Sequence, residues 1–447
     1  MRAARALLVQ PPIHDFALYD LFLHPYGLLR LGEWLLQSGY DVELLDGLDD
    51  PGVRRDGGVG KFRRRVVAAP PVFADFPRRY ARYGVSEDEL RNRVAASRAD
   101  VVLVASGMTY WYEGVAEVAR VANEVLPGVP VAIGGVYATL LPDHARTIAP
   151  AAHIVAGGAD GLGQMLVALG LPPLTGALPA MPSVELRHAS RRLSCSGVVR
   201  LNEGCRDRCA YCASSILSPR FTAGTWQVVA DYVGRLIDDG ARSFAFLDDA
   251  LLESADELLA PLLEWMIDSY GDGHLDIHLP NAVHVDLVTP AIASLLYRAG
   301  VGEVRLGLES MDPDFHRRYD RKRVVDATDD AVESLFTAGF RPGEVSGYLL
   351  AGLPGQVPEE VTSAIDALER RRVAPNIAEY SPVPGTPLFD EACRISRYPL
   401  SDEPLCHNNS VFPTASDRFT IDDMWHIKAV AREARVRVGS TGPRRSA

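Results

Sequence analysis

Three cysteines fall within eight residues of the segment "NEGCRDRCAYCASS", Asn202 to Ser215, at the spacing C-x3-C-x2-C: Cys205, Cys209 and Cys212. The chain has only six cysteines, so half of them sit in one loop. A structural zinc site wants four ligands, usually from paired elements. No second pair follows: Cys393 and Cys406 are distant and mismatched, and the nearest upstream histidine, His188, lies in a proline-rich connection. A disulfide would leave an odd thiol, and six cysteines in 447 residues do not make a disulfide scaffold. An iron–sulfur cubane has four irons, each ordinarily held by one thiolate. Three thiolates leave one iron open to a substrate or cofactor, by the logic that separates catalytic from structural zinc.

Such a loop needs a scaffold that gathers three thiols, and the flanking sequence predicts one. From residue 193 onward apolar strands alternate with helical segments. Strands are expected at Ser196–Leu201, Ser243–Leu247, Asp276–Leu279, Glu303–Leu308, Val345–Leu350 and Ile377–Ser381. Helices are expected at Trp226–Asp239, Ala255–Tyr270, Pro290–Ala299, Val325–Ala338 and Pro358–Arg371. Six βα units are too few for a closed eight-fold barrel and predict an open, partial one. The cysteine loop follows its first strand, on the face where such barrels place chemistry.

The N-terminal part shows the same alternation. "ALLVQPP" (Ala6–Pro12), "DVELLD" (Asp41–Asp46), "DVVLVASG" (Asp100–Gly107), "PVAIGGV" (Pro130–Val136) and "HIVAGGAD" (His153–Asp160) read as strands. Tyr26–Tyr40 carries Leu28, Leu31, Trp34 and Leu35 at helical spacing, and Gly114–Leu126 reads as a further helix. The pattern predicts a parallel, doubly wound sheet with its ligands at the carboxyl ends of the strands. Gln10-Pro11-Pro12, Ser106-Gly107, Gly134-Gly135 and Gly157-Gly158 fall at those ends, where tight turns account for the glycines as well as close approach to a ligand does. A charged, irregular stretch from Pro51 to Arg98 reads as an insertion over the sheet. The expected organisation is an α/β chain: a doubly wound, Rossmann-like domain over 1–170, a linker over 171–192, a partial (βα)6 barrel over 193–394, and a C-terminal extension over 395–447. That extension is expected to hold one helix, Ile421–Arg435, and a frayed end.

On this scaffold the cysteine spacing resembles the signature of the radical S-adenosylmethionine (radical SAM) superfamily, with Tyr211 as the aromatic residue before the third cysteine. The resemblance implies a 4Fe–4S cluster on Cys205, Cys209 and Cys212, whose open iron chelates the amino and carboxylate groups of S-adenosylmethionine. The reduced cluster would cleave the sulfonium to methionine and a 5′-deoxyadenosyl radical, which takes a hydrogen from the substrate. Looser matches carry over further cofactor-binding residues. Asp248 and Asp249 of "FLDDALL" fall near the methionine amine, or cap the next helix. Glu309 and Ser310 of "RLGLES" fall at the ribose hydroxyls, and Arg321 or Lys322 of "YDRKR" at the methionine carboxylate. "YLLAGLPGQ" resembles the strand-five contact to adenine. "YSPVPGTPLF" closes strand six as in the branch with an N-terminal cobalamin-binding-type domain, and "LLVQPP" through "DVELLD" resembles the opening of that branch.

Cobalamin itself is admitted but not favoured. The D-x-H-x-x-G motif of histidine-ligated cobalamin proteins is absent from the first half, and the D-x-H at Asp276-Ile277-His278 lies in the barrel and continues Leu-Pro-Asn. "SGMTYWYEG" places Thr109, Tyr110, Trp111 and Tyr112 where a corrin needs room; they would stack on it, fill its place, or simply pack the core. Length and layout resemble the radical SAM diol dehydratases of aminoglycoside deoxygenation, in antibiotic biosynthesis. That resemblance implies hydroxyl loss beside a ketyl radical, with a partner NAD(P)H reductase as one way to complete the reaction. Cobalamin-dependent radical SAM C-methylation is the alternative, and an iron–sulfur sensor the non-enzymatic one. No general acid or base is assigned.

Composition sets the remaining bounds. A formal net charge of −12 disfavours a nucleic-acid partner and suits a cationic small-molecule substrate. No run of about 18 apolar residues predicts a membrane span, and "MRAARALLVQPP" reads as a first strand rather than a signal peptide. A cytoplasmic location and an electron donor of flavodoxin or ferredoxin type are expected.

Overall fold

A computed structural model describes residues 2–50 and 55–439; residues 440–447, in the tail expected to fray, lie outside them. The chain divides into two compact units: Met1–Gly197 with Arg235–Ala241 and Glu403–Cys406, and Val198–Gly234 with Arg242–Asp402 and His407–Ala447. Among the described residues no helix is long and apolar enough to cross a membrane.

The first unit is built on five parallel strands: β1 (Arg5–Gln10), β2 (Asp41–Asp46), β3 (Val101–Ser106), β4 (Val131–Gly135) and β5 (His153–Val155). Their order is β5–β4–β3–β1–β2. The chain therefore leaves β1 in one direction and resumes on its other side at β3, which makes the β1/β3 crevice the switch point of the sheet. Alternate residues of each strand enter different cores. Leu7, Val9, Val102, Val104 and Ile133 pack on one face; Ala6, Leu8, Leu44, Val101 and Leu103 pack on the other, with Leu29 and Leu35 of α1 (Tyr26–Gln37). Burial on both faces is why these strands read as continuous apolar runs. Gly32 of α1 lets the helix close on the sheet and on the 171–192 stretch, since a Cβ there would sit 2.8 Å from Leu8 Cδ1 of β1 and 2.3 Å from Leu186 Cδ1.

The stretch 171–192 packs within this unit. Trp34 Nε1 donates to Thr175 O at 2.8 Å. Arg192 is fully enclosed, with its Nε 3.0 Å from Asp46 Oδ2 and its Nη1 3.6 Å from Asp20 Oδ1. Burial pushes the Asp46 carboxyl up, but the Arg192 charge and hydrogen bonds outweigh it and hold Asp46 below its ordinary value. In the charged insertion, Ala81–Tyr83 pairs with Ile13–Asp15 and with Arg64–Val66, and Val59–Lys61 pairs with Tyr19–Leu21.

The second unit carries the partial barrel. Its strands are β6 (Gly197–Val199), β7 (Ser243–Phe246), β8 (Asp276–His278), β9 (Val304–Glu309), β10 (Val345–Ala351) and β11 (Ala374–Glu379). They form two three-stranded ladders, β6–β7–β8 and β9–β10–β11, with isolated parallel bridges at Ile277–Val301 and Val283–Leu306 between them. Five of the six strands lie within a residue or two of the expectation, or are shortened versions of it. The sixth begins three residues earlier than expected, at Ala374, and runs through Pro375. A proline argues against a central strand, but β11 is the edge of its ladder, where the missing N–H costs no pairing. Helices at Trp226–Asp238, Pro290–Ala299, Val324–Ala338 and Pro358–Arg370 follow the expected pattern. The one expected at Ala255 opens as a π-helical turn, Ala255–Leu259, before the α-helix Ala260–Tyr270. Pro261, with no N–H to give, falls where the hydrogen-bonding register changes.

Candidate active site

The cysteine loop leaves β6 through Asn202–Glu203, which pairs antiparallel with Thr222–Ala223 and closes the base of the loop. Gly204 turns the chain at φ +83°, with the Arg220 carbonyl oxygen 2.9 Å from where a Cβ would stand. Asp248, at the end of β7 and 1% exposed, fastens this strand end. Its Oδ1 accepts from the backbone N–H groups of Leu201 at 2.8 Å and Asn202 at 2.7 Å. Burial pushes its carboxyl up to about 7, against the pull of those two donors. Its Oδ2 has no hydrogen-bond partner among the described residues. The far side of the loop is held by Ala210 N donating to Tyr319 O at 2.8 Å and by Tyr211 OH donating to Asp320 Oδ2 at 2.7 Å. Asp320 is itself anchored by His316 Nδ1 at 2.9 Å and by the backbone N–H of Lys322 at 3.0 Å.

Held from both sides, Cys205, Cys209 and Cys212 line one cavity of about 140 Å³. All six cysteines are free. The backbone N–H of Asp207 donates to Cys205 Sγ at 3.4 Å, and that of Ser214 to Cys212 Sγ at 3.5 Å. Burial pushes the Cys205 thiol up to about 11 and the Cys209 thiol to about 12, so these groups become thiolates only against a positive charge such as iron. Three thiols around a cavity that leaves room beside them, two already receiving N–H groups, fit a cubane with one open iron. The rest of the lining fits a zwitterionic ligand. Lys322 Nζ stands 3.4 Å from Glu309 Oε1, with both side chains largely enclosed. Burial alone would lower the Lys322 ammonium; Glu309, the Cys209 thiol and Asp320 outweigh it and hold it above its ordinary value. Asp249 adds a carboxylate, 3.3 Å from Arg200.

Of the residues singled out in the sequence, Tyr211, Asp249 and Glu309 line the cavity with the three cysteines, as does Lys322. Asp248 lies beneath it as the clamp just described. Ser310 is buried, its carbonyl accepting from His316 Nε2 at 2.9 Å and its hydroxyl from the Asp312 N–H at 3.1 Å. Arg321 is exposed, at φ +64°, and does not line the cysteine cavity; it borders a second surface cavity with Arg317 and Arg323, which Lys322 also reaches. Glu309 takes φ +58°, uncommon outside glycine, at a register shift between β9 and β10. No residue pattern announced that kink, which accompanies the turn of the Glu309 carboxylate to Lys322. Among the cavity residues that were not singled out are two with chemistry to offer the cysteines: Asp207, inside the cysteine loop, and His284, after β8. His284 Nε2 lies 3.8 Å from Cys205 Sγ and 3.4 Å from Asp207 Oδ2. The only signal for His284 was a histidine just past the carboxyl end of a barrel strand.

In the first unit the aromatics of "MTYWYEG" are engaged by their own surroundings. Trp111 Nε1 donates to Asp15 Oδ2 at 2.7 Å, and its ring covers Gly107, where a Cβ would come within 2.9 Å of it. Tyr110 is buried. Tyr112 stacks on Tyr137 at 6.0 Å between centroids and donates to Glu403 Oε1 at 3.0 Å. The side chain that follows β3 thus meets Asp15, of the segment that follows β1, at the carboxyl edge of the sheet. At the β5 end, by contrast, a Cβ on Gly157 or Gly158 would meet nothing within 4 Å.

Residues 199–368 match the model of the Radical SAM superfamily, so this segment is a radical SAM domain, and the cofactors of that superfamily are a 4Fe–4S cluster and S-adenosylmethionine. Among curated proteins the chain is 26% identical over 299 residues to a tRNA-2-methylthio-N(6)-dimethylallyladenosine synthase of Nitratidesulfovibrio vulgaris, covering 60% of this chain and 62% of that one. It is 24% identical over 200 residues to a probable threonylcarbamoyladenosine tRNA methylthiotransferase of Pyrococcus abyssi, covering 42% and 45%. The matches thus span about half of the length of these relatives. Among solved structures, the radical S-adenosylmethionine methyltransferase TsrM of Kitasatospora setae, with cobalamin and a [4Fe–4S] cluster bound, shares the fold: TM-score 0.66, 14% identity, 97% of this chain and 89% of that one.

Proposed function

We propose that the chain is a radical SAM enzyme that transfers a methyl group to a small-molecule acceptor. The observation that carries the radical SAM part is the single cavity in which Cys205, Cys209 and Cys212 meet Glu309, Lys322 and Asp249. Methyl transfer is supported by the likeness over 97% of the chain to a protein named as a methyltransferase and by curated relatives named for methylthiolation. Nothing comparable supports hydroxyl loss from a diol, the reaction expected from layout and charge. The cluster and S-adenosylmethionine, when bound, supply one-electron reduction and an activated sulfonium. The chain's residues position them. Lys322 offers an ammonium to the ligand carboxylate, and Glu309 holds that ammonium in place. Asp249 offers a carboxylate to the ligand amine. Tyr211, tied to Asp320, fixes the loop between Cys209 and Cys212. The electron comes from a donor of flavodoxin or ferredoxin type, and the formal charge of −12 suits a cationic acceptor. A corrin is the methyl carrier this reading borrows from the likeness. Trp111, held by Asp15 at the carboxyl edge of the first unit's sheet, would flank such a corrin.

The test is anaerobic incubation of the reconstituted chain with S-adenosylmethionine labelled in its methyl group and dithionite, with and without hydroxocobalamin. Methyl transfer predicts S-adenosylhomocysteine only when corrin is present, and corrin absorbance retained after desalting. Formation of 5′-deoxyadenosine alone, with no corrin retained and all label left in methionine, would return the reaction to the dehydratase class.

A further inference from the structure

We propose that His284, held by Asp207, donates a hydrogen bond to the Cys205 sulfur and thereby sets the reduction potential of the cluster. This rests on the reading of Cys205, Cys209 and Cys212 as cluster ligands. Cys205 already receives the backbone N–H of Asp207 at 3.4 Å, and the His284 Nε2 at 3.8 Å is within the longer reach of a hydrogen bond to sulfur. The Asp207 carboxylate lies 3.4 Å from the same nitrogen. Nε2 therefore faces two acceptors, and its proton is shared between them. The other ring nitrogen, Nδ1, is buried with no partner among the described residues. That fixes the tautomer, because a buried N–H at Nδ1 would go unsatisfied while a proton on Nε2 serves both the sulfur and the carboxylate. The three donor atoms of Cys205, Asp207 and His284 all lie within 4.8 Å of one another. Such an outer partner orients a ligand and tunes its metal.

The direction follows from charge. When one electron enters the cluster no bond breaks, and the added negative charge is spread over the irons and their sulfurs. An N–H aimed at a ligand sulfur stabilises the reduced state and raises the potential. The Asp207 carboxylate acts in the opposite sense, both by its own charge and by drawing the His284 proton toward itself. Two substitutions should therefore shift the potential in opposite directions, which a loss of packing would not do.

The experiment is a spectroelectrochemical titration of the anaerobically reconstituted full chain without S-adenosylmethionine, with iron content measured on each variant. His284→Phe keeps a planar ring and removes both nitrogens. It should lower the ratio of reduced to oxidised cluster at a fixed applied potential roughly tenfold, a negative shift of about 59 mV for one electron. His284→Gln retains a side-chain N–H and should recover part of that shift. Asp207→Asn removes the competing charge while leaving the backbone donor, and should shift the potential the other way. Potentials that stay within a twofold change of that ratio in both His284→Phe and Asp207→Asn, shifts of the same sign in both, or a His284→Gln value equal to that of His284→Phe would each overturn the proposal. If His284→Phe holds no cluster, the sign of the Asp207→Asn shift decides it. An absent 4Fe–4S spectrum in the unaltered chain overturns the cluster reading, and this proposal with it, before any titration is run.

Discussion

Asp248→Ala removes the acceptor of two buried backbone N–H groups at once, those of Leu201 and Asn202. Each buried donor left unsatisfied costs about 1–3 kcal/mol, so the strand end that feeds the cysteine loop should lose about 2–6 kcal/mol of local stability. Asp248→Asn keeps the accepting oxygen and replaces an oxygen that has no partner, so it should hold the loop nearly as well as the parent. The pH dependence separates the two further. In the unfolded chain this carboxyl loses its proton near 3.8, whereas in the fold it keeps it to about 7. Between those values the folded state binds more protons, and the Asp248 contribution falls as pH rises, by up to about 4 kcal/mol, then levels off above the folded value. Asparagine has no such slope and should become the more stable form near pH 8. The two-unit chain need not unfold in one step, so the readout is hydrogen exchange of a peptide spanning Leu201 and Asn202 rather than a global melt. Exchange in Asp248→Ala should be faster by at least about thirtyfold, the equivalent of 2 kcal/mol. The reasoning fails if alanine exchanges within about threefold of the parent, or if asparagine behaves like alanine.

Serine at Cys205, Cys209 or Cys212 should abolish the brown chromophore and the cleavage of S-adenosylmethionine after reconstitution, while serine at Cys195, Cys393 or Cys406 leaves iron content unchanged; iron assay and absorbance check both. Lys322→Gln should weaken S-adenosylmethionine binding by roughly tenfold, about the worth of one charge-assisted hydrogen bond, whereas Arg321→Gln should shift the dissociation constant less than about twofold because Arg321 borders a different cavity. Arg192→Met strands the fully enclosed Asp46 carboxylate and should cost the first unit about 3–5 kcal/mol, seen as a lower urea midpoint in peptides of α1 followed by hydrogen exchange.

The sequence by itself determined the parts that depend on local pattern. Apolar runs buried on both faces, helices with one apolar stripe and the C-x3-C-x2-C loop after the first barrel strand are periodicities and spacings, and the barrel strands were legible from them, whereas the short Asn202–Glu203/Thr222–Ala223 pair and the helix Pro313–Tyr319 that hold the loop were not. What only the tertiary structure decided is which side chains from distant segments share a cavity. Arg321 and Lys322 are neighbours in sequence and equally cationic, yet the positive φ at Arg321 and the anchoring of the Lys322 N–H on Asp320 send one to the surface and the other to Glu309. Asp248 and Asp249 read as an interchangeable pair, but Asp248 is taken by the backbone N–H groups of Leu201 and Asn202 and Asp249 stands beside Arg200, so one became a buried clamp and the other a cavity wall. His284 was invisible because its meaning lies in being 3.8 Å from a sulfur 79 residues earlier in the chain. The partner of Trp111 was likewise invisible, because the indole N–H is taken by Asp15, 96 residues earlier in the chain.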